Sequence, residues 1–364
     1  MTNIIYIASD SAISGGAKVV FDLIENLDKK NFNVFLIAPK GELIEKSRKY
    51  CKNIFKISLQ KSELFKTTKK IRQIIFEIIK KNQSDKNIVH IHGNKALVFG
   101  ALAMRKLKIS KIYTEHRWTN DFHLKSRFRE MVQIRYLRCI LKKFDKVIAV
   151  SRAVEDFLLE RKIVHSGKIQ VIYNGVRNIS ENTSHYSNQE KITIGSLGSL
   201  NYVKNYKKLI DIVKNINTEI PFQIKIYGSG PEKDELNEKI IQLNLSDKIQ
   251  IHDPVQSPYP VLKTFDIFVS TATTESFGLA ILEAMSVGLP VIAYNGGALS
   301  EIIENEKDGI LVENNRIDLF CEKLKELIEY SQKRRILGER AYIKAKQFSI
   351  EKFIQNHQGI YNII

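Results

Sequence analysis

The sequence predicts an α/β protein with two doubly wound parallel sheets, one in each half of the chain. Three observations predict this class. Short, nearly continuous apolar runs alternate with helix-like segments, as in parallel sheets that are buried on both faces. A polar stretch, 178–191, interrupts this alternation, which then begins again. The first loop of each half contains glycine, and 364 residues suit two domains of ordinary size.

The first half begins with a βαβ unit. A strand is predicted at Asn3–Ala8, and the loop Ser14–Gly16 follows it. A helix at Ala17–Leu27 and a strand at Phe32–Ala38 complete the unit. The loop lacks the G-x-G-x-x-G fingerprint, so NAD is not indicated. Further strands are predicted at Ile88–Ile91, Lys111–Thr114, Lys146–Ser151 and Ile169–Tyr173.

The second half repeats this pattern. A strand at Ile192–Gly195 leads into a loop, and Lys204 precedes a helix that ends at Ile216. A strand at Phe222–Tyr227 ends in the glycine turn Gly228–Pro231. Further strands are predicted at Lys248–Ile251, Ile267–Ser270 and Val291–Ala293, and the chain after Phe348 is predicted to be helical.

One stretch, Ser270–Glu301, combines a strand, a loop, a short helix and a second strand. Gly278 stands where the helix begins, so a phosphate could approach the backbone N–H groups there, and the helix dipole favours an anion. Glu275 and Glu283 flank this turn. Eight residues along one helix would separate them by about 12 Å, beyond the roughly 5–9.5 Å of a glycosidase pair. They suit an extended ligand such as a nucleotide sugar, although two solvated glutamates around an ordinary helix start fit the same residues.

Composition excludes several classes of protein. Cys51, Cys139 and Cys321 lie far apart without a CxxC motif, so neither a disulfide framework nor a zinc site is indicated, and a reducing cytosol is expected. No apolar stretch approaches the ~20 residues of a membrane span. The N-terminus lacks the basic region of a signal peptide. We therefore expect a soluble or peripheral protein.

Basic residues are concentrated in the first half. Residues 1–180 contain 36 Lys and Arg against 16 Asp and Glu, whereas residues 181–364 have a net charge of −3. Two basic amphipathic helices are predicted, at Leu64–Lys81 and Lys125–Lys143. Such a surface could bind an anionic membrane or substrate, and a solvated lysine-rich surface is the alternative. No nucleic-acid motif accompanies these residues, so nucleic acid is not expected.

Two histidines follow strands of the first predicted sheet. His92 comes after Ile88–Ile91, and His116 comes after Lys111–Thr114. Open α/β sheets bind ligands at the carboxyl ends of their strands. We therefore expect His116 to be functional and take His92 as a second candidate, with a structural, hydrogen-bonded histidine as the alternative for each.

These motifs resemble those of the family 4 glycosyltransferases, retaining enzymes with the GT-B fold. Glu275-Ser-Phe-Gly-Leu-Ala-Ile-Leu-Glu283 is similar to the family's Glu-x7-Glu motif. The loop with Gly198, Ser199, Leu200, Lys204 and Asn205 resembles its phosphate-binding loop. The resemblance covers essentially the whole chain and includes Gly15-Gly16-Ala17, His116, Ile148–Ser151, Asn174-Gly175-Val176, Gly228–Pro231, Ala284-Met285, Gly288–Ile292, Glu301 and Gly309.

The resemblance implies two Rossmann-like domains that face a central cleft. Residues 1–178 would form the acceptor side, residues 191–347 the nucleotide-sugar donor side, and residues 348–364 a C-terminal helix that could pack back on the first domain. The implied enzyme is a hexosyltransferase. It would move a hexose or N-acetylhexosamine from a nucleotide sugar, expected to be a UDP-sugar, to a glycan or lipid-linked acceptor. Cell-surface polysaccharide or lipopolysaccharide biosynthesis in the cytoplasm, at the inner face of the membrane, is the implied setting.

The resemblance also implies residue roles. Lys204 should contact the donor diphosphate, and Glu283 should contact the ribose. Glu275 and His116 are the implied catalytic residues, with Glu275 at the transferred sugar and His116 facing the reacting centre. Further donor contacts are expected from Gly16, Ser199, Gly228, Ser276, Phe277, Gly278 and Leu279.

Two positions depart from the family pattern. Ser199 stands where arginine is usual, so one cationic contact to the diphosphate is missing. Asp253 stands where glycine is usual, near the expected nucleobase contact, which leaves the base open. The sequence has no Asp-x-Asp pair, so neither a metal ion nor another cofactor is expected.

Two other functions fit parts of the sequence. A nucleotide-sugar epimerase can share the two-domain fold, but it needs acid and base residues around the sugar carbon rather than this pair of glutamates. A non-catalytic subunit that binds glycan or lipid for another transferase is the second alternative, and the missing arginine is what suggests it.

Overall fold

The computed structural model describes residues 1–12, 15–82, 84, 86–124, 126–177 and 191–364. This part of the chain divides into two compact units, Met1–Gly175 with Ile350–Ile364 and Val176–Ser349. Most of the predicted linker, 178–191, lies outside the described residues, as do Ser14 and Lys125. Each unit contains a parallel sheet with helices, which confirms the predicted α/β class.

The first unit is built on a seven-stranded sheet, counted over its described residues. Its strands are β1 (Thr2–Ala8), β2 (Phe32–Ala38), β3 (Asn53–Lys56), β4 (Lys86–His92), β5 (Ser110–Glu115), β6 (Lys146–Ala149) and β7 (Ile169–Val171). Their order is β3-β2-β1-β4-β5-β6-β7, and all neighbours are parallel. The connecting helices are α1 (Gly16–Asn26), α2 (Glu42–Ser47), α3 (Leu64–Lys81), α4 (Asn94–Ala103), α5 (Arg127–Leu141) and α6 (Arg152–Glu160).

The second unit has a six-stranded sheet within the residues that the structure describes. Its strands are β8 (Ile192–Leu197), β9 (Phe222–Tyr227), β10 (Ile249–His252), β11 (Ile267–Ser270), β12 (Val291–Asn295) and β13 (Ile310–Glu313). Their order is β10-β9-β8-β11-β12-β13, again parallel throughout. Its helices are α7 (Tyr206–Asn215), α8 (Lys233–Gln242), α9 (Tyr259–Leu262), α10 (Leu279–Ser286), α11 (Leu299–Ile302), α12 (Ile317–Glu329) and α13 (Ser331–Ala345).

Apolar runs predict all the central strands, and also the edge strands β7 and β10. All four residues of β11 are buried, and so are six of the seven residues of β1. The sequence analysis does not predict β3 and β13, which lie at the edges of their sheets. Each strand has only four residues. Both ends of β3, Asn53 and Lys56, and the last residue of β13, Glu313, are polar and exposed. These two edge strands therefore lack the apolar signal of a central strand.

The observed bounds of three helices can be compared with the predicted ones. The helix α3 has the bounds that the sequence predicts, whereas α5 is shorter than the predicted helix Lys125–Lys143. It begins after Ser126, whose hydroxyl accepts a hydrogen bond from the N–H of Arg129 at 3.4 Å, as an N-cap does. It ends at Leu141, where the chain turns into β6. The helix α1 begins at Gly16, one residue earlier than predicted.

The last helix, α14 (Ile350–Ile363), belongs to the first unit. Its apolar face, with Phe353 and Ile360, is buried in a core that includes residues of β1, β2 and α1. The hydroxyl of Tyr361 lies 3.0 Å from that of Tyr6 and 2.7 Å from Nδ1 of His90. The end of the chain therefore completes the interior of the first unit.

We predict that Tyr361→Phe lowers the free energy of unfolding by about 1–3 kcal/mol, because the buried Tyr6 hydroxyl and the Nδ1 atom of His90 both lose a partner. Urea unfolding followed by circular dichroism measures this change. The control is Tyr330→Phe, since Tyr330 is 59% exposed, and it should shift stability by less than about 0.5 kcal/mol. Equal stability of the two variants would contradict the prediction.

Candidate functional site

Two loops of the second unit form the first part of the candidate site. One loop follows β8 and contains Lys204, and the other follows β11 and contains Glu275. Parallel pairing of β8 with β11 places both loops at the same edge of the sheet. The hydroxyl of Thr271 joins them, since it lies 3.1 Å from the carbonyl oxygens of Lys204 and Asn205. The fold therefore holds the two predicted residues together.

Lys204 and Glu275 form an ion pair. Nζ of Lys204 lies 2.5 Å from Oε1 of Glu275, and the two side chains are 24% and 14% exposed. Burial lowers the pKa of Lys204, but the charge and the hydrogen bond of Glu275 outweigh burial, so the pKa lies above its ordinary value. Lys204 is therefore a cation at neutral pH that is largely withdrawn from water. In such surroundings its attraction for a second anion is stronger than in bulk solvent.

The helix α10 begins after Gly278, whose backbone is left-handed, with φ 89° and ψ 46°. A β-carbon on Gly278 would lie 2.7 Å from Cδ2 of Leu299 in α11. Glycine is thus required by the turn and by packing, which is a different reason from the predicted close approach of a phosphate. Phe277, just before it, is buried, and its ring centroid lies 6.1 Å from that of Phe348. The N-terminus of α10 is therefore fixed, with Leu279 as its first helical residue.

Glu275 and Glu283 do not lie along one helix. Glu283 lies on α10 and is 5% exposed, whereas Glu275 lies in the preceding loop. There Glu275 forms a β-bridge with Gly297, and its carbonyl accepts a hydrogen bond from the N–H of Ala298 at 2.8 Å. The separation of about 12 Å expected for a continuous helix therefore does not apply, because Gly278 interrupts the helix between the two carboxylates.

The glycine turn after β9 packs against the loop after β8. A β-carbon on Gly228 would lie 1.9 Å from the carbonyl oxygen of Gly198. Only glycine, which has no β-carbon, avoids this steric clash. The N–H of Leu200 donates to the carbonyl of Ser229 at 2.9 Å. Ser199, which stands where the family usually has arginine, lies between Gly198 and Leu200 and is exposed. Because β9, β8 and β11 are neighbours, Gly228 and Ser199 lie at the same sheet edge as the ion pair.

The remaining predicted positions of the second unit lie around this edge. Ser276 and Leu279 are half-buried on either side of Gly278. Asp253 follows β10, is exposed, and pairs with Lys233 at 2.7 Å. The hydrogen bond from Lys233 lowers the pKa of Asp253, so Asp253 is an anion at neutral pH.

The first unit has a pocket of about 360 Å³ at the carboxyl ends of its strands. Gly16 and His116 line it together with Asp10, Lys95 and Glu115. A β-carbon on Gly16 would lie 3.3 Å from Cδ2 of His116, so glycine leaves room for the ring. The sequence analysis does not predict Asp10 or Lys95. Asp10 follows β1 and Lys95 follows β4 within a few residues, and this position at the ends of parallel strands is the signal that could have identified them.

His92 and His116 contact each other beside this pocket. Nδ1 of His92 lies 2.9 Å from Nε2 of His116, and the rings stack with centroids 5.2 Å apart. Burial, together with the charge of His357, lowers the pKa of His116 to about 3. Burial, with the neighbouring histidines, also holds the pKa of His92 well below its ordinary value. Both rings are therefore neutral at pH 7, and His116 does not offer a cation to a diphosphate.

Glu115 ends β5 and lies in the wall of the same pocket. It is 1% exposed and accepts hydrogen bonds from the hydroxyl of Tyr113 at 3.0 Å and the N–H of Arg117 at 2.9 Å. Burial raises its pKa above the ordinary value, and these hydrogen bonds oppose the rise. Within the described ranges, no group of three or more His, Cys, Asp and Glu side chains is arranged to hold a metal ion.

Two protein-family models match this chain. The model of Glycosyltransferase Family 4 matches residues 13–177, and that of Glycosyl transferases group 1 matches residues 179–344. Together the two matches extend over nearly the whole sequence, and each contains one of the two parts of the candidate site.

Similar proteins extend over most or all of the chain. An uncharacterized glycosyltransferase of Haemophilus influenzae is 26% identical and covers 98% of each chain. A UDP-Gal:alpha-D-GlcNAc-diphosphoundecaprenol alpha-1,3-galactosyltransferase of Escherichia coli is 27% identical over 86% of this chain and 84% of its own. The crystal structure of Anabaena HepE in complex with UDP-glucose has a TM-score of 0.84 at 20% identity, over 100% of each chain. The chain therefore belongs to the family 4 glycosyltransferases and is a glycosyltransferase with the GT-B fold.

Proposed function

We propose that this enzyme transfers a hexose or N-acetylhexosamine from a UDP-sugar to a glycan or lipid-linked acceptor, with retention of configuration. The observation that carries the proposal is the ion pair of Lys204 and Glu275, whose charged atoms lie 2.5 Å apart. Glu275 comes shortly before the start of α10 in sequence. The likeness to HepE, which was solved with UDP-glucose, supports the donor class. The name of the Escherichia coli relative supports a diphosphate-lipid-linked acceptor. Such transfers belong to cell-surface polysaccharide or lipopolysaccharide biosynthesis.

Donor binding rests on charge and on backbone groups of the second unit. The ammonium of Lys204 neutralises the diphosphate, and the N–H groups from Phe277 to Leu279 at the start of α10 bind its oxygens. Glu283 accepts hydrogen bonds from the ribose hydroxyls. The loops with Ser199 and Gly228 lie at the same sheet edge and offer further hydrogen bonds. Gly16 of the first unit, which carries no side chain, lets backbone approach the phosphates.

The reaction breaks the bond between the anomeric carbon and a diphosphate oxygen and joins that carbon to the acceptor oxygen. The acceptor attacks from the face that the leaving group departs, and the leaving phosphate takes the acceptor proton. Glu275 stabilises the positive charge that develops on the sugar, while Lys204 stabilises the negative charge on the diphosphate. Because the two groups already lie 2.5 Å apart, this arrangement of charges is in place before the donor binds.

We propose that no metal ion takes part. A neighbouring carboxylate keeps Lys204 charged, and a cation together with helix N–H groups can neutralise a diphosphate. The sequence also lacks the Asp-x-Asp pair through which a metal ion would bridge the diphosphate to the protein.

We further propose that the first unit binds the cytoplasmic face of the membrane, where a lipid-linked acceptor would lie. Phe65 and Phe76 on α3 are 85% and 60% exposed, and eleven residues, about three turns, place them on one face among lysines. Phe128 and Met131 on α5 are 70% and 60% exposed and have basic neighbours. Exposed apolar side chains among cations suit an anionic lipid surface. None of the helices in the described ranges has the length and apolar character needed to cross a bilayer.

For the donor site, we predict that Lys204→Ala weakens binding of UDP-glucose or UDP-galactose by roughly tenfold to a hundredfold, the usual effect of losing a charged hydrogen bond. Isothermal titration calorimetry measures the affinity. Lys207→Ala is the control, because Lys207 lies on α7 and pairs only at the surface with Glu235. Each titration is repeated in EDTA, which should leave the affinity unchanged. Wild-type affinity in Lys204→Ala would contradict the donor site, and a loss of affinity in EDTA would contradict metal independence.

For turnover, we predict that Glu275→Gln lowers kcat about a hundredfold with a smaller effect on the donor KM, since its charge acts mainly in the transition state. Glu283→Gln should chiefly raise the donor KM. Initial rates of UDP release, with N-acetylglucosamine-diphosphoundecaprenol as acceptor, separate the two effects. A Glu275→Gln variant with wild-type kcat would show that the assignment is wrong.

For membrane binding, we predict co-sedimentation of the full-length protein with phosphatidylglycerol vesicles, and weaker binding as salt rises. The double variant Phe65→Ser with Phe76→Ser should bind about tenfold or more weakly, because two apolar contacts are lost. The control is Ile241→Ser, a residue of the second unit that is 65% exposed. Binding that ignores both lipid charge and salt would refute this part of the proposal.

A further inference from the structure

Four histidine rings stand in contact inside the first unit. His90 and His92 lie two residues apart on β4 and therefore on the same face of the sheet, and their ring centroids are 4.2 Å apart. His116, directly after β5, stacks on His92, and His357 of α14 stacks on His90 with centroids 5.9 Å apart. The series leads from the last helix of the chain to the pocket that contains Gly16. The roles proposed above use His116 from this series and leave the other three unexplained.

All four rings are neutral at physiological pH. Burial lowers the pKa of His357 to about 4 and that of His116 to about 3. Burial holds the pKa of His90 and of His92 well below the ordinary value, and the charges of His116 and His357 lower both further. A neutral imidazole carries its proton on one nitrogen only, so the hydrogen bonds of one ring restrict the tautomer of the next.

His90 uses both of its ring nitrogens outside the histidine series. Its Nδ1 atom lies 2.7 Å from the hydroxyl of Tyr361, and its Nε2 atom lies 2.7 Å from the hydroxyl of Thr114. It therefore supports His92 by ring contact and offers it no hydrogen bond. The position of His90 depends on α14, because Tyr361 is fixed in turn by the hydroxyl of Tyr6 at 3.0 Å.

His92 has a hydrogen bond at one nitrogen. Its Nδ1 atom lies 2.9 Å from Nε2 of His116, whereas its own Nε2 atom is buried without a hydrogen-bond partner among the described residues. A buried N–H without an acceptor is rarer and more costly than a buried acceptor without a donor. The favoured tautomer of His92 therefore has its proton on Nδ1 and a bare Nε2.

We propose that His92 is a positioning residue that donates from Nδ1 to Nε2 of His116 and so fixes His116 as the Nδ1–H tautomer. The geometry makes Nε2 of His116 an acceptor that is already occupied. His116 is then a neutral ring with its proton on Nδ1 and an acceptor at Nε2. It cannot act as a general base through Nε2, which agrees with a reaction in which the leaving phosphate takes the acceptor proton.

The tautomer itself is a property of the free protein, whereas its effect on turnover rests on the proposed function, in which His116 faces the reacting sugar. The test therefore begins without substrate. Full-length protein labelled with ¹⁵N in its histidine rings gives two-bond proton–nitrogen correlations, which distinguish the Nδ1–H from the Nε2–H tautomer. The spectrum of His116→Asn assigns the signals of His116. We expect Nδ1–H for both His92 and His116, and an Nε2–H form of His116 would overturn the proposal.

Two substitutions at His92 then test positioning through turnover. The amide nitrogen of His92→Asn can occupy the place of Nδ1 and donate to His116, while the side chain of His92→Leu cannot. We expect His92→Leu to lose the single tautomer of His116 and to lower kcat roughly tenfold to a hundredfold. His92→Asn should keep the Nδ1–H form and recover most of that loss.

Equal loss of kcat in the two folded variants would show a structural role only and overturn the positioning role. Donor affinity, measured in the Lys204 titrations, does not enter this comparison. An incorrect donor assignment would leave the tautomer spectra unchanged, and an incorrect tautomer would leave the donor titrations unchanged. The two proposals therefore fail separately.

Discussion

Parallel pairing of the strands is the constraint on which both parts of the candidate site depend. In a parallel sheet all carboxyl ends lie at one edge, so loops that follow neighbouring strands meet there. In the second unit the loops after β8 and β11 meet in this way, and Lys204 reaches Glu275 across 71 residues of sequence. In the first unit His92 at the end of β4 reaches His116 just after β5, across 24 residues.

Two basic groups, Lys204 and His116, have different charges at neutral pH. Lys204 and His116 are both withdrawn from water, which disfavours the charged form of each. A carboxylate beside Lys204 more than offsets that penalty, so its pKa rises. Burial, with a smaller contribution from His357, lowers the pKa of His116 to about 3, and no carboxylate among the described residues offsets that shift. The chain thus presents a fixed cation in the second unit and a neutral polar ring in the first. In the proposed reaction, these suit the diphosphate and the sugar respectively.

The final helix links the end of the chain to the part of the candidate site that lies in the first unit. Two histidines on one face of a central strand place polar nitrogens in an apolar interior, where unpaired groups are costly. Tyr361 and Thr114 satisfy both nitrogens of His90, and the partner on α14 is 271 residues away in sequence. Since the ring of His90 lies against that of His92, the last residues of the chain help to fix the surroundings of His116.

The sequence alone determined the class of fold, the central strands and the family motifs. Apolar runs mark strands that are buried on both faces, as in β1 and β11, and the glutamate motif and Lys204 indicate the donor side by resemblance. The same signal is absent from the edge strand β3, whose two apolar residues are half-exposed and whose end residues are polar. Local pattern also placed the start of a helix at Gly278, and α10 does begin directly after this residue.

Only the tertiary structure decided which polar groups meet. Sequence spacing places a residue on a strand or in a loop, but pairing across a sheet edge depends on strand order, which local periodicity does not encode. The contacts of Lys204 with Glu275 and of His92 with His116 arise from that order. The contact of Tyr361 with His90 arises from the packing of α14. The sequence by itself thus supplied the chemical groups, and the packed fold decided their partners and hence their charge states.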